Sequence, residues 1–109
     1  MVEYSSSLSL LFGSLADAVR RDIVARVSRA QMTVSQIAGF YTISLAAVAK
    51  HISVLEKAAL VKKERRGTEQ WVSLVPETLR AASTYISQYE VLWTQRFEAI
   101  DALLEEENE

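Results

Sequence analysis

The sequence predicts a mainly helical domain that carries one small β-hairpin, and three observations lead to this fold class. Apolar residues recur at helical spacing as far as Leu55, the spacing changes to that of strands between Leu60 and Leu74, and a long helical pattern follows Pro76. The chain has 109 residues, of which 50% are apolar, and this is enough for one modest core. We therefore predict a single domain over residues 1–109.

Two helical segments come first in the chain. The run from Leu8 to Phe12 is apolar but too short to be stable alone, so we expect a helix packed on another element. Ser14 with Asp17 three residues later is a capping signal for a second helix. Its buried stripe, which reaches to about position 29, consists of Leu15, Val19, Ile23 and Val27. The other faces of this helix carry Arg20, Arg21, Arg26 and Arg29. We expect most of these four arginines, though not necessarily each one, to be solvated.

Residues 33–58 predict a pair of short helices joined by a tight turn. Thr33 with Gln36 three residues later forms a capping box, and Ile37 and Phe40 give the first helix an apolar side. The turn is expected at residues 41–43.

The second helix of this pair is predicted to start after Ser44, a favourable N-cap, and to run to about Ala58. Its apolar stripe consists of Leu45, Val48, Ile52 and Leu55. The opposite face is small and basic and carries Ala46, Lys50, Ser53 and Lys57, flanked by Ala47 and Ala49. A helix with such a face can approach the major groove of DNA while its ammonium groups reach phosphates. The alternative is an ordinary amphipathic helix whose lysines are merely solvated.

Residues 60–74 predict a β-hairpin directly behind this helix. Gly67 suits a turn that needs positive φ, and the segment from Gln70 to Leu74 is rich in strand formers. A hairpin in this position is the arrangement known as a winged helix, in which the wing lies along the DNA backbone or enters the minor groove. Arg65 and Arg66, at the tip, are the residues placed to do so. The alternative is a solvated hairpin whose arginines serve solubility.

The charge distribution favours a nucleic-acid partner although the net charge is −2. Residues 50–66 carry six basic side chains against Glu56 and Glu64. The basic residues are Lys50, Lys57, Lys62, Lys63, Arg65 and Arg66. Acidic residues crowd the end of the chain instead, so the middle of the sequence is basic and its tail is acidic.

The segments LADAVRRDIV, TVSQIA and ISLAAVAKHISVLEKAALV, together with the hairpin, resemble the ArsR/SmtB-type winged helix-turn-helix regulators. The resemblance extends roughly from Leu15 to Leu74. It implies a homodimeric repressor that binds a partly palindromic operator of double-stranded DNA, with the second helix of the pair as reader. The DNA-facing positions that it implies are Ser44, Ala46, Ala47, Lys50, His51, Arg65 and Arg66.

Three positions depart from the pattern of this family. Ala18 stands where many members have proline, Thr42 where the turn often has glycine, and Ala59 where a glycine before the wing is usual. We expect these changes to affect the local turn geometry and not the fold.

The ligands through which many family members sense metals are missing. The chain has no cysteine for a site on the first helix of the pair, and it has one histidine, His51, beside the apolar stripe of the second. We expect His51 to pack or to contact phosphate. The acidic tail from Glu105 to Glu109 lacks the spaced ligands and the glycine turn of a calcium loop. We therefore predict no metal and no cofactor.

Pro76 is well placed to begin a last helix over residues 76–106, about 45 Å long if it is continuous. A heptad pattern with neighbouring apolar positions runs through Leu79, Ala82, Ile86, Tyr89, Trp93, Phe97, Ile100, Leu103 and Leu104. So long a stripe exceeds what a small domain can cover, and we expect a second copy to cover it, assisted by the Leu8 to Phe12 segment. Packing within one subunit is the alternative, and an apolar ligand site built from Tyr85, Tyr89, Trp93 and Phe97 is another.

The sequence as a whole predicts a homodimeric, sequence-specific transcriptional repressor that does not respond to metals. A sensor of an organic ligand at the dimer seam and a protein-interaction module that keeps the fold are the two alternatives. No nucleophile with a base, no phosphate-binding glycine loop and no metal cluster favours an enzyme. The absence of cysteine fits a reducing compartment, no segment reaches the apolar length of a membrane span, and residues 1–7 lack the basic flank of a secretion signal. We expect a cytoplasmic protein.

Overall fold

The structure is a computed structural model that describes residues 3–107. Its elements are α1 (Glu3–Ser14), α2 (Ala18–Val27), β1 (Met32–Thr33), α3 (Val34–Ala38), α4 (Leu45–Lys57), β2 (Val61–Arg66), β3 (Glu69–Leu74) and α5 (Pro76–Glu107). This order confirms the predicted fold class, which is mainly helical with a small β-hairpin. The chain divides into two compact units, one ending at Leu79 and the other starting at Arg80.

The core of the first unit is built from the apolar stripes of its helices and the inner face of its sheet. Its most deeply buried members are Ile23, Ile37, Val48, Ile52, Leu55, Leu60, Val61 and Val72. Since these side chains come from α2, α3, α4 and both hairpin strands, the core fixes the helix pair and the hairpin as one body. Burial on this scale is the main favourable term in the folding of a small domain.

The junction between α1 and α2 is organised by Asp17. Its Oδ1 accepts hydrogen bonds from the backbone N–H groups of Val19 (2.8 Å) and Arg20 (3.1 Å), which caps α2. The prediction that Ser14 caps this helix is wrong. Ser14 is the last residue of α1, and its buried hydroxyl donates to the carbonyl of Leu11 at 2.7 Å. The hydrogen bond from the Arg20 N–H stabilises the ionised Asp17 carboxylate and is the main reason that the pKa of Asp17 lies below its usual value.

Helix α3 has the predicted capping box. The Thr33 hydroxyl accepts from the Gln36 N–H at 3.1 Å, and the Gln36 side chain accepts from the Thr33 N–H at 3.0 Å. Ile37 is fully buried as predicted, whereas Phe40 lies beyond the end of the helix and is exposed. The Arg26 guanidinium lies 3.7 Å from the centroid of the Phe40 ring, so the exposed ring makes a cation–π contact at the protein surface.

The turn between α3 and α4 is held to α2 by Tyr41. Its hydroxyl donates to Asp22 Oδ2 at 2.5 Å, and Arg26 Nε donates to the same oxygen at 2.7 Å. These two donors hold the pKa of Asp22 below its usual range. Burial and the bond to Asp22 raise the pKa of Tyr41 to about 12. Arg26 is therefore one of the α2 arginines that is held by the protein and is not merely solvated.

Helix α4 begins and ends as predicted, between the N-cap Ser44 and the C-cap Ala58. At its end, the N–H of Leu60 donates to the carbonyl of Leu55 (3.0 Å) and the N–H of Ala59 to that of Glu56 (2.9 Å). This pair of bonds is a Schellman motif, which requires a left-handed residue after the cap. Ala59 occupies that position with φ +60°. The alanine that replaces the family's usual glycine thus keeps the turn geometry that the glycine would have.

The sheet has three antiparallel strands in the order β1-β3-β2, where the sequence predicted only the hairpin. The added strand pairs Met32 with Val72 and Thr33 with Trp71. The hairpin closes with a two-residue turn, because Arg66 pairs with Glu69. Gly67 has φ +64°, as predicted, and is the first residue of that turn, which is the position of glycine in a type II′ turn.

Helix α5 is continuous over 32 residues, and its length is therefore about 48 Å. Pro76 is its first residue, as predicted. The apolar side chains of its second half are more than half exposed in the single chain, among them Trp93 at 56%, Phe97 at 58% and Leu103 at 62%. This face has no partner within the described residues of the second unit.

Candidate nucleic-acid interface

Helix α4 presents a small, partly basic face to solvent. The Ser44 Oγ accepts a hydrogen bond from the Ala47 N–H at 3.1 Å and so caps the first turn of the helix. Ala46 and Lys50 are exposed on that side, whereas Val48 on the inner side is fully buried. A helix with alanines at its first exposed positions can bring its backbone close to a base-pair edge.

Leu45 departs from the predicted pattern. It was assigned to the buried stripe of α4, but 57% of it is exposed. The physical reason is that Leu45 lies at the edge of the stripe and in the first turn, where no element covers it. The sequence missed this residue because spacing alone does not distinguish the end of a buried stripe from a position just outside it.

A groove connects the first turns of α4 with the tip of the hairpin. Leu45 and Ala49 line one side, and Thr68, Glu69 and Gln70 line the other. Thr33, Val34 and Ser35, where β1 leads into α3, complete the lining. Helix α4 and the hairpin tip therefore border one groove of the first unit, which is the geometry that one DNA duplex would need to meet both.

Arg65 and Arg66 lie on opposite faces of β2, because side chains alternate along a strand. Arg65 shares its face with Lys63, whose Nζ is 3.4 Å from Glu56 of α4, and its Nε donates to the carbonyl of Gly67 at 3.1 Å. Arg65 and Arg66 are both exposed.

Arg66 is engaged with the protein itself. Its Nε donates to Glu64 at 2.6 Å and its Nη2 to Gln31 at 3.0 Å, and its guanidinium lies 5.1 Å from the centre of the Trp71 ring. The sequence treated the two tip arginines as equivalent. The register of the strands separates the two arginines. Among the described residues, Arg65 hydrogen-bonds only the turn carbonyl of Gly67, whereas Arg66 contacts the side chains of Glu64, Gln31 and Trp71.

His51 is half-buried and lies beside the start of α2. Its Nδ1 is 3.3 Å from Arg20 Nη1 and 4.0 Å from Asp17 Oδ1. The other two guanidinium nitrogens of Arg20 donate to the carbonyls of Ser14 (2.6 Å) and Gly13 (3.2 Å). Arg20 is thus a structural link between α1, α2 and α4, and like Arg26 it is not merely solvated. The link joins residues 31 positions apart, so no local pattern could have revealed it.

The basic side chains of this surface are only partly neutralised. Lys63 and Arg66 have the carboxylate partners Glu56 and Glu64. Lys50, Lys57 and Lys62 form no ion pair with any residue of the described range 3–107. Of the seven positions assigned to DNA, Ser44, Ala46, Lys50, Arg65 and Arg66 are exposed, and Ala47 and His51 are half-buried.

Two further features bear on other kinds of site. Within residues 3–107, no group of three or more His, Cys, Asp or Glu side chains is arranged to hold a metal ion. Among the same residues, no helix is both long and apolar enough to cross a membrane.

Helix α5 carries its aromatic residues in two adjacent pairs. The hydroxyls of Tyr85 and Tyr89 are 3.1 Å apart with their rings edge to face, and the rings of Trp93 and Phe97 are 5.7 Å apart. Tyr89 and Trp93 line an open groove on the helix surface together with Leu92 and Arg96.

The short helix pair, the exposed face of its second helix and the hairpin beside that face define a winged helix-turn-helix protein. Residues 15–64 match the family described as "Helix-turn-helix domain". The chain is 31% identical over 96 residues to the HTH-type transcriptional regulator Rv2034 of Mycobacterium tuberculosis, a match that covers 88% of this chain and 87% of that protein.

Two solved structures share the fold. The ArsR family transcriptional regulator RHA00566 superposes with a TM-score of 0.78 at 29% identity, over 86% of this chain and 97% of that one. The homodimeric winged helix-turn-helix DNA-binding domain of Mb0332 from Mycobacterium bovis superposes with a TM-score of 0.67 at 21% identity, over 82% and 84% of the two chains. This chain belongs to the ArsR family of winged helix-turn-helix transcriptional regulators, a class of DNA-binding proteins and not of enzymes.

Proposed function

We propose that the protein is a homodimeric repressor that binds a partly palindromic operator and does not respond to metal ions. The observation that carries the proposal is the shared groove between the first turns of α4 and the tip of the hairpin. With both elements on one side, α4 would lie in the major groove while the wing follows the backbone. The regulator would act in the cytoplasm by occupying its operator.

The contacts divide between bases and backbone. Lys50 reaches out from the first half of α4, free of ion pairs within the described residues, and suits a guanine edge or a phosphate. Ser44, Ala46 and Ala47 allow close approach of the helix. Leu45, exposed in the same turn, adds an apolar group of the kind that contacts the thymine methyl. His51 is the last of the proposed DNA-facing residues on α4, and it lies on the side of this helix that is next to α2.

The wing contributes through Arg65. In the part of the chain that the structure describes, Arg65 donates only to the Gly67 carbonyl, so its guanidinium has donors left for phosphate or the minor groove. Arg66 would have to give up its bonds to Glu64 and Gln31 before it could contact DNA. Its proposed role is therefore to hold the wing against the rest of the first unit.

A second copy of the chain is the proposed partner of α5. The helix is about 48 Å long, and the apolar side chains of its second half are more than half exposed in the single chain. An exposed apolar stripe of this kind is unusual on a protein surface without a partner. An antiparallel or parallel pair of such helices gives the isologous interface of a two-fold dimer. The homodimeric state of the Mb0332 domain, which has the same fold, supports this assembly. In the proposed organisation, one domain over residues 1–109 contains the helix pair at 33–58, the wing at 60–74 and the dimerisation helix at 76–106.

A second candidate is a response to an organic ligand. The open groove at Tyr89, Leu92, Trp93 and Arg96 favours it, because aromatic walls beside one cation suit a flat, acidic molecule. A ligand that bound there would change the seam of the dimer and so the spacing of the two reading helices. A shift of the melting temperature by a compound, lost in Tyr89→Ala, would support this candidate.

The test is a salt titration of binding to operator and to random duplexes, with the operator first selected from a random DNA pool. Lys50→Ala should lower the affinity for operator by about 1–3 kcal/mol and narrow the gap to random DNA, if the contact is to a base. Arg65→Ala should weaken binding to all sequences and reduce the slope of log affinity against log salt by roughly one unit per lost phosphate contact. Arg29→Ala, which removes an exposed charge from the end of α2, is the matched control.

Two outcomes contradict the proposal. If Lys50→Ala binds both duplexes as the wild type does, α4 is not the reader. If the wild type selects no sequence and shifts no DNA at low salt, the fold serves protein interaction instead.

A further inference from the structure

We infer that Arg20 fixes the tautomer of His51, so that Nε2 of this ring carries the proton and offers DNA an uncharged hydrogen-bond donor. Arg20 thereby becomes a positioning residue of the reading helix although it lies on α2. The tautomer follows from the geometry of the free protein, whereas its use by DNA rests on the proposed function.

The tautomer is set by what Arg20 can and cannot do. A guanidinium has five N–H donors and no acceptor, and it does not lose its charge in proteins. Arg20 Nη1 lies 3.3 Å from His51 Nδ1, a contact that is a hydrogen bond only if Nδ1 accepts. A ring whose Nδ1 accepts is neutral and has its proton on Nε2.

The competing arrangement would place the proton on Nδ1 and direct it at Asp17. The distance from Nδ1 to Asp17 Oδ1 is 4.0 Å, which is too long for a hydrogen bond. The same oxygen already accepts from the Val19 and Arg20 N–H groups at 2.8 and 3.1 Å. Asp17 therefore caps α2 and does not orient His51.

Arg20 is itself held in place. Its Nε donates to the Ser14 carbonyl at 2.6 Å and its Nη2 to the Gly13 carbonyl at 3.2 Å. A guanidinium is planar, so two fixed nitrogens also fix the third, which is the one at His51. The carbonyls at the end of α1 thus determine where the donor to His51 lies.

The other ring nitrogen is available. Nε2 has no hydrogen-bond partner within residues 3–107, and in that range no buried side-chain nitrogen or oxygen lacks one. Nε2 is therefore not completely buried, in a side chain that is 22% exposed, and it belongs to the residue that follows the exposed Lys50 on α4. An N–H at this place can donate to a phosphate oxygen or a base acceptor without adding charge.

The first experiment measures the tautomer directly. His51 is the only histidine of the chain, so long-range proton–nitrogen correlation spectra of the ¹⁵N-labelled protein contain one imidazole. In alkaline buffer, the wild type should give a protonated (pyrrole-type) Nε2 and an unprotonated (pyridine-type) Nδ1. Arg20→Met should move both shifts toward the average of a tautomer mixture. Arg20→Lys should not restore the wild-type pattern, because its single nitrogen cannot bind the Ser14 and Gly13 carbonyls and His51 together.

Arg21→Met is the matched control. Arg21 also binds a carbonyl at this junction, that of Leu15 at 2.7 Å, but it makes no contact with His51. Its removal should leave the imidazole shifts unchanged. A protonated Nδ1 in the wild type overturns the inference without need of a variant, and so do wild-type shifts in Arg20→Met.

The second experiment tests the use of the donor. The amide nitrogen of glutamine reaches about as far as Nε2, whereas that of asparagine reaches only as far as Nδ1. His51→Gln should keep operator affinity within about threefold, and His51→Asn should lose about tenfold or more, the effect of one hydrogen bond to a charged acceptor. Equal affinities of the two variants overturn the role at DNA. If the wild type binds no operator, the proposed function fails, and the imidazole spectrum still decides the tautomer.

Discussion

The conformation of Ala59 leads to the sharpest prediction on stability. Ala59 follows the C-cap of α4 with φ +60°, a region that L-residues with a Cβ adopt at a cost of roughly 1–2 kcal/mol. The residue is exposed, so its Cβ contributes little to packing. We expect Ala59→Gly to stabilise the protein.

The magnitude follows from two opposing terms. Relief of the left-handed strain favours the folded glycine variant by about 1–2 kcal/mol. The greater freedom of glycine in the unfolded chain opposes it by about 0.4–1 kcal/mol. The motif itself survives, because the bonds from Ala59 N–H to Glu56 (2.9 Å) and from Thr78 Oγ1 to the Ala59 carbonyl (2.6 Å) use only backbone atoms of residue 59. The net gain should be about 0.5–1 kcal/mol, or roughly 3–6 °C in melting temperature.

The assay is chemical and thermal unfolding followed by circular dichroism at one fixed protein concentration, because a dimer's stability depends on concentration. Two control variants should lower the stability of the protein, opposite to the gain expected for Ala59→Gly. Gly67→Ala introduces a Cβ at φ +64° where no atom lies within 4 Å, so its expected loss of about 1 kcal/mol is purely conformational. Ala25→Gly, at an exposed position inside α2, should lose about 1 kcal/mol of helix propensity.

A destabilised Ala59→Gly would refute the reasoning. Together with the expected losses in both controls, it would mean that the Cβ of Ala59 contributes packing that exceeds the backbone strain. If Gly67→Ala were neutral as well, positive φ would carry no measurable penalty in this protein.

Three further predictions concern assembly, alkaline stability and metals. Trp93→Glu would bury a charge in the proposed seam and should dissociate the dimer, which light scattering would detect as a halved mass. Gln95→Glu adds the same charge outside the apolar stripe and should leave the mass unchanged. A monomeric wild type at micromolar concentration would contradict the assembly. Folding raises the pKa of Tyr41 from 10 to about 12, so the stabilisation from its bond to Asp22 should be complete below pH 10 and lost as the pH rises toward 12. Tyr41→Phe should be less stable than the wild type at pH 8 and should not show this alkaline loss. Parallel curves of unfolding free energy against pH for the two proteins would argue against the bond. Operator affinity measured with and without zinc should be the same, and a zinc-dependent change that EDTA reverses would point to a metal site.

Local signals in the sequence predicted much of the fold because they act within a few residues. Thr33 with Gln36, Ser44 before an apolar stripe, and Gly67 between two runs of strand formers each fix a helix start or a turn through hydrogen bonds or φ preferences of neighbouring residues. The same locality made Ser14 misleading. Two cap residues lay within one turn of each other, and only the end of α1 determined that Asp17 caps α2.

The family assignment also came from the sequence, because the resemblance rests on short segments in a fixed order. That order was sufficient for the helix pair and the wing, which the structure and the matching relatives confirm. The DNA contacts themselves stay a prediction, and their test is the salt titration with Lys50→Ala and Arg65→Ala.

What the sequence by itself determined is the type, order and approximate limits of the helices and of the hairpin, since periodicity and capping are properties of contiguous residues. The pairing of β1 with β3 was not among them. Only the tertiary structure decided which side chains meet across the fold. It exposed Leu45 at the edge of its stripe, separated Arg65 from Arg66 by strand register, and brought Arg20 to His51. The physical reason is that such contacts depend on how whole helices and strands pack, and a displacement of a few ångströms, which leaves every local pattern intact, makes or breaks a hydrogen bond.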